Sequence, residues 1–229
     1  MNAARGGERR PPARPQPAAV ALGLALMLAL AFAGYQAARR GLADVIAGEP
    51  RYQIERWRTG QWVPDSHKLD ALQDALERAR GIDPDNPSLI EELGHLHATR
   101  VQRHPAGDPH VRAMRRQALL HFRQALAMRP TSGHGYTNIA LMKYRLGEID
   151  REYSHLLQQA MRRAPWEPKV QMLAIELGIA AWQALAEPAR DAVKQAIQVQ
   201  ARWQPARQKP ALESLLKRYR RTDLAYLLE

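Results

Sequence analysis

Hydrophobic and polar positions divide the chain into two regimes. From Pro15 to Ala38 there is no charged residue, and Ala18 to Tyr35 (AAVALGLALMLALAFAGY) is almost all Ala, Leu, Gly, Val and Met. About 20 such residues in a helix match the ~30 Å hydrocarbon thickness of a bilayer. A surface helix of a soluble domain has a wet face to fill with polar side chains, and this stretch has none. Beyond it the pattern turns amphipathic, and three segments end alike: Leu76 and Ala79 before Pro84, Phe122 and Ala125 before Pro130, Leu157 and Ala160 before Pro165. In each, a large apolar residue stands eight positions and a small one five positions before the proline. Residues 171–186 keep apolar periodicity, and residues 210–229 read as one amphipathic helix with Leu212, Leu215, Leu216 and Tyr219 on one side.

Composition supports an all-α fold. Aromatic residues make up 6% of the 229 residues, whereas Ala, Leu, Gln, Arg and Glu recur throughout, as helices prefer. The formal charge of +11 suggests nucleic acid until it is divided by region: residues 1–40 carry six Arg against the single Glu8, +5 of the total. The remaining +6 is spread over 189 residues, a solvated basic surface rather than a phosphate-binding footprint, so no nucleic-acid partner is expected. With no cysteine there is no disulfide, thiolate catalysis or Cys-ligated metal.

The prolines closing the three similar segments are 46 and 35 residues apart. A helix-pair repeat of the tetratricopeptide type has a period of about 34 residues. The second interval fits directly. The first fits once about 12 residues are assigned to an insertion around Arg103-His-Pro-Ala-Gly-Asp-Pro-His110, near 103–112. Here the chain resembles the tetratricopeptide repeat family, through Leu93-Gly94, Ala118, Phe122, Ala125 and Pro130 in one unit and Tyr136, Ala140, Leu146-Gly147, Ala160 and Pro165 in the next. Two antiparallel helices approach closely only where Gly or Ala faces a bulky side chain, and proline ends each second helix. Trp57 and Gly60 fall near the expected places in a degenerate first unit that Pro64 interrupts. The expected organisation is a Pro/Arg-rich cytoplasmic tail at 1–17, a membrane anchor at 18–37, a juxtamembrane linker at 38–52, a repeat domain forming an antiparallel helix-pair α-solenoid at 53–205, and a C-terminal capping helix at 206–229.

A narrower likeness runs from Arg129-Pro130 through Tyr136, Gly147, Asp150 and Ala164-Pro165-Trp166-Glu167-Pro168 to Ile175-Glu-Leu-Gly178 and Trp182. This stretch resembles the VpsP family of polysaccharide-biosynthesis accessory proteins, which are membrane-anchored and tetratricopeptide-like. The resemblance implies a scaffold that supports exopolysaccharide synthesis or export through protein–protein interactions. The same architecture also suits an accessory factor of another envelope system, such as cytochrome maturation or cell division, and less readily a glycan-active enzyme.

The segment at 18–37 has two readings. Arg5, Arg9, Arg10 and Arg14, the apolar run and Ala31-Phe32-Ala33 also suit a cleavable signal peptide. The anchor is preferred, because the apolar run continues past that site to Arg39 and Arg40 and the tail is long for a signal. Short tail inside and bulk outside then predicts a single-pass inner-membrane protein with most of the chain in the periplasm.

No motif requires catalysis: there is no Gly-rich phosphate loop, Gly-x-Ser-x-Gly elbow or His-Glu-x-x-His. Glu92 and His95 have the Glu-x-x-His spacing of di-iron bundles without its second copy, and read as a surface pair. His104, Asp108 and His110 read as loop residues, Asp83 and Asp85 as helix caps. No catalytic residue, metal or cofactor is expected. In a helix-pair stack the first helices line the concave side, which puts Glu91, His95, Thr137, Leu141, Tyr144, Lys169 and Glu176 toward a groove as candidate partner contacts.

Overall fold

The computed structural model describes residues 17–58, 65–101, 104–105, 107–203 and 205–229. The tail with Arg5, Arg9, Arg10 and Arg14, the stretch holding Gly60 and Pro64, and Arg103 of the expected insertion lie outside the described residues. The described elements are all helical: α1 Pro17–Arg58, α2 Ser66–Ile82, α3 Pro87–Arg100, α4 Pro109–Met128, α5 Gly133–Leu146, α6 Arg151–Arg163, α7 Pro168–Ala180, α8 Glu187–Trp203 and α9 Pro205–Arg218, with short 3-10 turns at Trp182–Ala184 and Thr222–Leu228.

Helix α1 is long and apolar enough to cross a membrane, and the apolar window is entirely unburied, with Leu22, Leu28 and Phe32 bare. It does not stop at the basic pair that follows. Residues 38–52, expected to be a linker, continue the same helix, which corrects that boundary. The charges at Arg39, Arg40, Asp44, Glu49 and Arg51 suggest a solvated connector, yet Ala43, Ala47, Ile54 and Trp57 share a face and are buried against α2 and α3. Arg39 reinforces the junction, donating from Nε (2.9 Å) and Nη2 (2.6 Å) to the Ile82 carbonyl at the end of α2. A carbonyl in the last turn of a helix has no intrahelical partner, so this is a cation at the negative end of the α2 dipole.

The helix starts are set locally. Asp65, Asn86, Asp108, Ser132 and Asp150 each accept a hydrogen bond from a backbone N–H of the following first turn, and Pro87, Pro109 and Pro168 stand where no N–H is needed. The N-cap of α3 is Asn86; of the two aspartates expected as caps, Asp83 stands at the C-cap of α2 and Asp85 caps neither helix. Asp83 ends α2, and its carboxylate accepts from Asn86 Nδ2 at 3.1 Å. Gly147 closes α5 at φ +76°, a left-handed position that suits glycine.

Successive helices pack against one another, and close approach decides the pairings. A Cβ on Gly94 of α3 would lie 2.7 Å from the Phe122 ring of α4; one on Gly133 would meet the Ala164 side chain, and one on Gly178 of α7 that of Val193 in α8. At the turn between α5 and α6 the buried Lys143 ammonium reaches Asp150 and Glu152, both at 2.8 Å, and Glu148 at 3.7 Å. The odd-numbered helices also touch along the molecule, α1 with α3, α5 with α7 and α7 with α9.

The C-terminus differs from the single helix expected. Helix α9 already begins at Pro205, buries Leu212, Leu215 and Leu216, and ends in a turn where Arg220 takes φ +54°. The 3-10 turn then brings Leu224, Leu227 and Leu228 back against α8 and α9. A straight helix would have carried those three leucines away from the core.

Candidate functional site

Two openings are walled mainly by residues of α3, α5, α7 and α9. The first, about 190 Å³, is walled by His95 and Thr99 of α3, Phe122 of α4, Asn138, Leu141, Met142 and Arg145 of α5, and Leu173 of α7. The second, about 350 Å³, lies between α7 and α9 and is walled by Met172, Leu173, Glu176, Ser214, Leu215 and Arg218, among others. Leu173 borders both, so the openings adjoin. Near the first turn of α7, Lys169 Nζ reaches Glu55 Oε1 of α1 at 3.5 Å, an exposed ion pair that links the first and fourth odd-numbered helices.

This arrangement sorts the seven residues expected to face a groove. His95 and Leu141 meet in the first opening. His95 also stands edge-on to Phe122, with ring centroids 5.0 Å apart, and 4.0 Å from Glu91. Glu91 is mostly enclosed, accepting from Arg129 Nη2 and Asn138 Nδ2, both at 2.9 Å, so it ties α3 to α4 and α5. Tyr144 is half-buried against the core, and Glu176 edges the second opening, accepting from Arg218 Nη1 and the Tyr219 hydroxyl, both at 3.1 Å. Thr137 is not a contact. It is 1% exposed and its hydroxyl donates to the Gly133 carbonyl at 2.8 Å, because its position on α5 faces back into the helix pair.

Helix counting missed Thr99, Asn138, Arg145 and Leu173. Each lies one helical turn from a residue that was picked: Thr99 after His95, Asn138 before Leu141, Arg145 after Leu141, and Leu173 after Lys169, so an i, i+3/i+4 extension of the chosen positions would have found all four. The wall of the first opening mixes apolar and polar side chains. Among the described residues, no three His, Asp or Glu side chains are grouped to hold a metal ion, and Asp108 of the former loop trio spends its carboxylate on the cap of α4.

Electrostatically the groove is cationic at its centre. Burial, beside the Arg115 guanidinium, pulls the Arg145 guanidinium below its usual range. The carboxylates along the groove, Glu91 and Glu176, already accept from cations or phenol of the fold itself. No family model matches the chain, and no curated protein or solved structure is detectably similar to it.

Proposed function

We propose that the chain is a membrane-anchored scaffold whose helix pairs stack in the tetratricopeptide manner and whose groove holds an extended segment of a partner protein. The observation that carries this reading is the run of adjoining openings along α3, α5, α7 and α9, walled by apolar and polar side chains together, on a domain continuous with an apolar N-terminal helix. A single helix pair cannot bury its own apolar face, and the successive contacts of α1 through α9 give each pair its neighbour. In this reading α9 and the final 3-10 turn cover the exposed end of the stack. The unbroken α1 holds the groove at a fixed height and angle over the bilayer, as an assembly scaffold requires. Following the resemblance to polysaccharide-biosynthesis accessory proteins, the partners are synthesis or export components of an exopolysaccharide machine, and the domain lies in the periplasm. The role is assembly, not catalysis.

Two measurements test this. Alkaline phosphatase fused after Glu229 is active in cells if the domain is periplasmic, and an inactive fusion reverses the topology. A photoreactive residue at Leu141 or Tyr144, irradiated in cells and analysed by mass spectrometry, captures a polysaccharide polymerase, chain-length regulator or export component. Capture of unrelated envelope machinery moves the assignment to that system, and capture of glycan alone removes the protein-scaffold reading.

A further inference from the structure

Among the described residues, the other partly buried cations near the groove are each matched by an acceptor. Lys143 has Asp150, Glu152 and Glu148; Arg129 has Glu91; Arg100 has Asp70; and Arg115 donates to the Arg145 carbonyl at 2.7 Å. Arg145 is the exception. Its side chain is half-buried in the wall of the first opening, yet among the described residues no carboxylate lies within ion-pair distance and no acceptor within hydrogen-bond distance of its guanidinium. The nearby Glu148 is turned toward Lys143, and the second cation beside it, Arg115, adds repulsion. A charge in a partly apolar wall with only solvent to meet it is costlier than one in open water, and a carboxylate entering the opening would relieve that cost.

We infer that Arg145 is the counter-ion for a carboxylate on an extended polypeptide segment seated in the groove; this rests on the groove being the partner-binding surface. The guanidinium offers paired N–H donors with the geometry of a carboxylate. Around it Phe122, Leu141, Met142 and Leu173 supply an apolar wall for the stem of an acidic residue and for its apolar neighbours. The adjoining opening past Leu173 gives the rest of the segment a path toward α9. A sugar acid fits this wall less well. Its many hydroxyls need acceptors, and of the two groove carboxylates Glu91 has both oxygens engaged and Glu176 already accepts twice at Oε1.

The test uses the full chain in lipid nanodiscs, panned against phage-displayed 12-residue peptides. Selected peptides are expected to share one Asp or Glu flanked by apolar residues. Synthetic copies, tested with free and amidated C-termini, show whether a side chain or a chain terminus supplies the carboxylate. Their affinity is expected to fall by about 10- to 100-fold for Arg145→Met, as hydrogen bonds to charged groups imply. Because that change removes an unpaired charge, the ligand-free Arg145→Met protein is expected to melt at or above the wild-type temperature. Equal peptide affinity for Arg145→Met overturns the inference, and so does a large drop in its melting temperature, which would make Arg145 a structural residue. Leu173→Glu separates the two levels. If it abolishes peptide binding while Arg145→Met does not, the groove stands and the carboxylate assignment falls. If the peptides ignore Leu173→Glu, or none is selected, the groove reading falls with it. Binding of hexagalacturonate in place of any peptide overturns the polypeptide occupant.

Discussion

Replacing Gly94 by leucine is expected to destabilise the helical domain by about 3 kcal/mol or more, the upper range for overpacking. The reason is positional. The first atom of any side chain at residue 94 would lie 2.7 Å from Cε1 and 2.9 Å from Cδ1 of Phe122, a ring that is itself only 1% exposed. The ring lies buried between α3 and α4, so relieving the clash means pushing it into the first opening it borders or forcing the two helices apart. Urea unfolding of the variant, followed by circular dichroism, measures the loss, and peptide binding at the groove is expected to fail with it, since Phe122 helps to shape the opening. Gly94→Ala is the milder companion. It adds only the clashing Cβ and is expected to lie between leucine and the wild type. A neutral Gly94→Leu would mean that α3 and α4 do not approach in this register.

Acidification is expected to cost the domain about 3 kcal/mol between pH 6.5 and pH 4, carried mainly by His97. His97 is 9% exposed, stacks on His121 with ring centroids 5.3 Å apart and planes 2° from parallel, and has a buried Nδ1 with no hydrogen-bond partner among the described residues. Burial, then His121 and Arg100, lowers its pKa from 6.5 to about 4, against an opposing pull from Glu77. Burial and Arg80 lower that of His121 as well, again opposed by Glu77. A histidine held neutral in the fold and free to protonate in the unfolded chain binds fewer protons when folded, so stability is complete above pH 6.5 and declines as the pH falls toward 4. His97→Leu is expected to flatten the melting temperature over that window. A variant that keeps the full wild-type slope would assign the acid sensitivity to other groups. Asp150 and Glu152 add their own loss at lower pH. Asp150 gains hydrogen bonds from Lys143 and the Tyr153 amide that outweigh the cost of its burial, and Glu152 is held mainly by Lys143; both carboxyls therefore sit below their ordinary values, and their contribution fades as they protonate.

Several features were legible in the residues alone because they are local. An uncharged run from Pro15 to Ala38 marks a helix that a bilayer could hold, whatever surrounds it. Leu-Gly at 93–94 marks close helix packing, since only a missing side chain admits the Phe122 ring. A second signal of the same kind was readable: Glu92-Leu93-Gly94 recurs as Glu176-Leu177-Gly178, and Gly178 is where α7 meets Val193 of α8. That recurrence places a close helix contact in a region where apolar periodicity alone showed little.

Other features were set by packing between distant segments. Residues 38–52 carry enough charge to resemble a linker, and only their docking on α2 and α3 makes them the second half of one long helix. Thr137 and Lys143 lie at polar positions, yet the first turns inward to its own helix and the second is buried among acids from the next one, because a neighbouring helix closes over that face of α5. The same holds for Arg145. As a residue it is one of many basic side chains in a chain of net charge +11, and nothing in its neighbours sets it apart. Charge and periodicity are properties of single residues and single helices, so the apolar run, the helical character of the chain and the close contact at Gly94 could be read from the residues alone. Burial and ion pairing depend on which helices meet, and it is their packing that leaves Arg145 without an acceptor among the described residues.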